Sequence, residues 1–85
     1  MKVKILSFVK VELGRTMEIV EKLQLIKNVK EIYYITGEYD LVMKIEGESS
    51  EELQKIMMTQ IDIIKGIKKL NSHLMVKRWM TDSEG

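Results

Sequence analysis

The chain has 85 residues, 14 Lys+Arg against 13 Asp+Glu for a net charge of +1, and neither cysteine nor proline. That length holds one small domain and excludes a TIM barrel or a full dinucleotide-binding fold. The absent cysteines exclude disulfides, thiol catalysis and Cys-ligated zinc, and the balanced charge argues against a nucleic-acid binder acting by bulk electrostatics.

With one histidine, no metal or cofactor is expected. No apolar run approaches the ~18 residues of a membrane span, and the N-terminus runs straight into an alternating segment, so a cytoplasmic, non-membrane domain is expected. A chain this small gains little net stability from its own core; without disulfide or metal, self-association is the remaining aid.

Residues 2–13 alternate. Val3, Ile5, Val9 and Val11 point one way with Ser7 among them, and Lys2, Lys4, Leu6, Phe8 and Lys10 point the other. Period two with β-branched residues predicts a strand. Gly14 opens a helix over about 15–27, where Ile19, Val20, Leu23 and Ile26 fall on one face. Asn28 is expected as its left-handed stop. A second strand follows over 29–36. Gly37-Glu38 reads as a tight type II′ turn, with glycine at its first central position, and a third strand follows over 39–46. Ser49 to Glu52 is a capping box that starts a helix over about 50–65. Its apolar stripe is Leu53, Ile56, Met57, Ile61 and Ile64. Gly66 ends it, and the last strand is expected within 67–79, from Leu70 onward. The single domain is placed at 1–80, and 81–85 reads as a polar tail.

The order is β-α-β-β-α-β. The stretch Ile26 to Ile32 also echoes Ile64 to Leu70 at a shift of 38 residues. Two such split halves make an α+β, ferredoxin-like βαββαβ sandwich: a four-stranded antiparallel sheet with two helices on one face, of the dimeric α/β barrel type. Four strands at ~4.8 Å make a sheet about 19 Å wide, which two helices ~10 Å across cover on one side only. A solvated second face should be polar. Here Leu6 and Phe8, Tyr33 and Ile35, Val42 and Met75 alternate against the core-facing sets. An apolar patch of a few hundred Å² marks an interaction site. A two-fold dimer packed sheet to sheet through these six residues is therefore expected.

The stretch Ile35-Thr36-Gly37-Glu38-Tyr39-Asp40-Leu41-Val42-Met43-Lys44-Ile45 resembles the T-G-[DE]-Y-D-L segment of the Lrp/AsnC family's regulatory domain. Val9-Lys10-Val11-Glu12-Leu13-Gly14, Lys27 to Ile32 and Gly66-Ile67-Lys68 are similar to further family segments. Leu13 and Lys65 stand where the family usually has proline. The resemblance covers about 3–79 and implies a stand-alone effector-binding domain without a DNA-binding domain. It also implies dimers that assemble to octamers or similar rings, with amino acids bound in clefts between dimers. Full-length Lrp/AsnC transcription factors are implied as partners; direct contact with nucleic acid is not.

An amino acid brings a carboxylate that needs N–H donors and an ammonium that needs an acceptor. Gly37 lets a ligand approach the main chain between Thr36 and Glu38. Asp40 offers the acceptor, and Tyr39 an apolar wall with a polar tip. The resemblance places the opposite wall at Asn71, Ser72 and His73 of a neighbouring subunit. Each residue also has a plainer role: Gly37 as a hairpin requirement, Tyr39 as an interface aromatic, Asp40 as a cap on the turn, and Ser72 and His73 as ordinary strand residues. Two other functions fit the same fold, a small cofactor-free monooxygenase or isomerase and a purely structural oligomerisation adaptor.

Overall fold

The alternating side chains of the first strand end up on opposite sides of one sheet, and that division sets the architecture. A computed structural model describes residues 2–82. It comprises β1 (Val3–Val11), α1 (Thr16–Gln24), β2 (Val29–Tyr34), β3 (Leu41–Gly47), α2 (Ser50–Ile56) running into a π-helical segment (Met57–Ile61), and β4 (Ile67–Leu74). The sheet order is β2-β3-β1-β4, with every pair antiparallel. The fold is the expected ferredoxin-like βαββαβ sandwich.

Register puts Val9 opposite Leu41 on β3 and Leu70 on β4, and Ile5 opposite Ile45 and Leu74. On the helix side Val9, Leu41, Met43 and Ile45 are buried against Ile19 and Leu23 of α1 and Leu53, Ile56 and Ile61 of the second helix. Each such side chain stabilises the fold by roughly 1.5–3 kcal/mol when fully buried. The smallest extent of the molecule is 19 Å, about what one sheet and one helix layer occupy.

Several local expectations are corrected. Asn28 is not a left-handed stop, since no residue other than glycine has positive φ among the described residues. Instead its Nδ2 donates to the Glu46 carbonyl at 2.9 Å and its own carbonyl accepts from the Glu46 N–H at 2.9 Å. It stitches the exit of α1 to β3. Gly66 does take the left-handed form, at φ +103°, and a Cβ there would stand 3.0 Å from Ile19 Cδ1.

The second helix is α-helical only to Ile56. Ile56 and Ile61 are five apart, about 140° around an α-helix, so one of them would leave the core. The wider π turn absorbs the extra residue, with Asp62 N–H donating to the Met57 carbonyl at 2.7 Å, and both isoleucines stay buried. The Thr59 hydroxyl donates to the Lys55 carbonyl at 2.6 Å and supports the widened turn.

β4 begins at Ile67, earlier than expected, and ends at Leu74. Met75 nevertheless donates its N–H to the Lys4 carbonyl at 2.9 Å and so stays beside β1. Of the expected tail, Thr81 and Asp82 are exposed and residues 83–85 lie outside the described residues.

Candidate functional site

Strand parity selects what the uncovered face presents. Phe8 lies between Val42 on β3 and Asn71 on β4, Leu6 between Lys44 and His73, and Tyr33 opposite Val42. Leu6, Phe8 and Val42 are half-buried, whereas Tyr33 is 55% and Met75 44% exposed. Leu6, Phe8, Val42 and Tyr33 therefore share one face with charged groups at its ends, Met75 sits beside Lys4, and Ile35, expected in β2 and in this strip, falls in the loop after it. At one end Lys44 Nζ lies 3.3 Å from Glu31 and 3.4 Å from Glu46. The Tyr33 hydroxyl donates to Glu31. That hydrogen bond, with Lys44 beside it, holds the Glu31 carboxyl below the usual carboxylate range. The bond to Glu31 likewise raises Tyr33 and Lys44 above their ordinary values.

The β2–β3 connection is not the two-residue turn that Gly37-Glu38 suggests. β2 stops at Tyr34, β3 starts at Leu41, and Ile35 N–H closes the loop on the Asp40 carbonyl at 2.9 Å. Asp40 is the reason. Its N–H donates to the Val9 carbonyl and its Oδ2 accepts from Val11 N–H, both at 2.9 Å, so it is bound to the end of β1 rather than to Thr36. The loop apex is exposed, with Gly37 at φ +110°. The N–H groups of Thr36, Gly37, Glu38 and Tyr39 have no partner within the chain among the described residues. Such free donors around a left-handed glycine suit a carboxylate. Lys10 Nζ donates to the Glu38 carbonyl at 3.1 Å and steadies the apex.

Tyr39 turns back over the uncovered face. Its ring stands 5.7 Å from Phe8, Lys69 Nζ lies 5.8 Å above it, and its hydroxyl accepts from Asn71 Nδ2 at 3.2 Å. Phe8 meets His73 edge-on at 5.9 Å. The structure thus brings Tyr39, Asn71 and His73 together around Phe8 within a single chain, with Thr36, Gly37, Glu38 and Asp40 on the adjoining loop. Ser72 is not with them. Its hydroxyl lies 2.8 Å from that of Ser7, which is fully buried on the helix side. Period two already sets residue 72 opposite 71 and 73, so parity alone separates it from its neighbours. The same counting places Lys69 with Asn71, a residue the sequence reading passed over. A groove of about 620 Å³ between α1 and β2, lined by Met17, Val20, Ile32 and Tyr34 among others, holds none of these site residues. No group of three or more His, Cys, Asp or Glu is placed to hold a metal among the described residues. No helix is long and apolar enough to cross a membrane.

Comparison with known proteins gives a consistent result. The Lrp/AsnC ligand binding domain model matches residues 5–84. The HTH-type transcriptional regulator FL11 of Pyrococcus furiosus is 33% identical over 75 residues, covering 86% of this chain and 49% of the regulator. Homocitrate synthase of Sulfolobus acidocaldarius is 33% identical over 63 residues, covering 74% of this chain but 13% of the enzyme. Thus the chain spans about half the length of one curated relative and a small part of the other. Among solved structures, FFRP-DM1 superposes with a TM-score of 0.84 at 27% identity, covering 87% of this chain and 99% of that one.

Proposed function

Since the chain belongs to the Lrp/AsnC ligand-binding domain family, we propose that it is an effector-sensing oligomer whose ligand is an amino acid or a closely related metabolite. Domains of this family typically dimerise and bind small effectors. The observation that carries the reading is the continuity of the uncovered sheet face with the hairpin loop. The strip of Leu6, Phe8, Val42 and Tyr33, with Met75 beside Lys4, runs into the Tyr39–Asn71 cluster, and the cluster adjoins the free N–H donors of Thr36, Gly37 and Glu38.

In this reading a second copy covers the strip, at ~800 Å² per partner for a standard interface. Dimers then assemble further, toward octamers or similar rings. The ligand carboxylate is held by the loop donors. Its ammonium meets the Asp40 oxygen that Val11 leaves free. Tyr39, Asn71 and His73 wall the ligand, while Ser72 stays on the other side of the sheet. The output passes to a partner, with full-length Lrp/AsnC-type regulators as the candidates, because mixed assembly needs only a shared interface. Binding rather than turnover is the activity proposed.

Thermal unfolding against a panel of free amino acids tests it. A ligand at 100 times its Kd stabilises by about 2.7 kcal/mol, on the order of 10 °C in Tm for a chain of this size. Asp40→Ala should abolish the shift while the variant still unfolds cooperatively. Absence of a shift with any amino acid or related metabolite refutes the sensing role.

A further inference from the structure

Five cations converge where the start of β1, the middle of β3 and the segment after β4 meet. Lys2, Lys4, Lys44, Lys77 and Arg78 line a recess of about 490 Å³ over Met75 and Val76. The convergence follows from the ladder. Lys4 and Lys44 are neighbours across β1 and β3, through the pairs Lys4–Glu46 and Leu6–Lys44. The bond from Met75 N–H to the Lys4 carbonyl then draws Lys77 and Arg78 alongside.

Lys44 is compensated by Glu31 and Glu46. Lys2, Lys4, Lys77 and Arg78 have no carboxylate within 4.0 Å among the described residues. With Glu31 and Glu46 counted against them, these five cations leave a local net of +3 in a chain whose net charge is +1, so the rest of the protein carries a net −2. Five of the chain's 14 Lys and Arg side chains therefore line one concave place.

We propose that this recess is a binding site for a compact, phosphate-bearing polyanion, separate from the amino-acid site. A guanidinium matches two phosphate oxygens at once, and the lysines act as point charges around the remainder. The volume lies in the range of small-molecule sites. A long nucleic acid is disfavoured as the occupant, because it needs an extended basic track and the remaining surface is net negative. Met75 also belongs to the strip that a second copy covers, so the recess lies at the edge of that interface; the anion site rests on the cations and not on the amino-acid reading.

Trp79, the chain's one tryptophan, follows Arg78 directly, and Lys77 Nζ lies 5.4 Å from its ring. Ligand capture by these cations should therefore change its fluorescence. The probe is inorganic tripolyphosphate titrated into the full chain at about 0.1 M salt. The expected result is a saturable change at one equivalent per chain, weakened tenfold or more in Lys4→Gln/Arg78→Gln and unchanged in Lys55→Gln/Lys65→Gln. Melting curves like the wild type's show that both variants fold. Non-saturable binding, or equal weakening in the two double variants, overturns the proposal. So does affinity for single-stranded oligonucleotides that rises with their length, which identifies an extended nucleic-acid surface instead.

Discussion

Asp40 shows how much one side chain decides. Its carboxylate and N–H bind β1 while its carbonyl closes the loop from Ile35, and this turns a tight hairpin into an open loop with free donors. None of this was readable from Thr36-Gly37-Glu38-Tyr39-Asp40 as a string, because hairpin preferences are local and the bonds to Val9 and Val11 join distant residues. Tyr33 is a second instance. Its hydroxyl bond to Glu31, with Lys44 nearby, lowers the Glu31 pKa and raises those of Tyr33 and Lys44. A lowered carboxyl pKa stabilises the fold above the unfolded-state value, and that contribution is lost as pH falls through the folded-state value. The raised Tyr33 and Lys44 values act at the opposite end, losing their contribution as pH rises through the folded-state values. Glu31 and Tyr33 are exposed and Lys44 is only half-buried, so the contributions are small. In Tyr33→Phe, an NMR pH titration should show the Glu31 midpoint moving up toward that of an ordinary glutamate. An unchanged midpoint would mean that Lys44 alone sets it.

Among the elements, the strands were legible because their periodicity is local and strong; β1 and β3 depart from expectation only near their ends. The helices were less so. A 3.6-residue count carried the second helix to residue 65, yet the core requires both Ile56 and Ile61, and only a π turn accommodates that spacing. Its start was plain: Ser49 Oγ accepts from Glu52 N–H at 3.1 Å, while Glu52 Oε2 accepts from Glu48 N–H at 2.6 Å. The reciprocal bond thus lands one residue before the usual capping-box position. Ser49→Ala should cost about 1 kcal/mol, read as a lower urea midpoint with an unchanged m-value. A variant as stable as the wild type would show that the Glu52 bond alone suffices to start the helix.

For the whole molecule, one asymmetry organises the rest. The helices shelter Val9, Leu41, Met43 and Ile45, and nothing in the described chain shelters Leu6, Phe8 and Val42 from solvent to the same degree. Both faces were legible in the sequence, since period two assigns each side chain to a side once the strand is recognised. What was not legible is the joining of β3's loop to β4 through Tyr39 and Asn71, or the gathering of Lys2, Lys4, Lys77 and Arg78. Both depend on the order in which strands pair, and on where the chain runs after β4. The central claim is that the uncovered face is an interface between copies. Sedimentation velocity at micromolar concentration tests it most directly. The account predicts species at twice the 10.0 kDa chain mass or larger multiples, reduced by Phe8→Glu. A wild-type protein that sediments wholly as the 10.0 kDa monomer contradicts it.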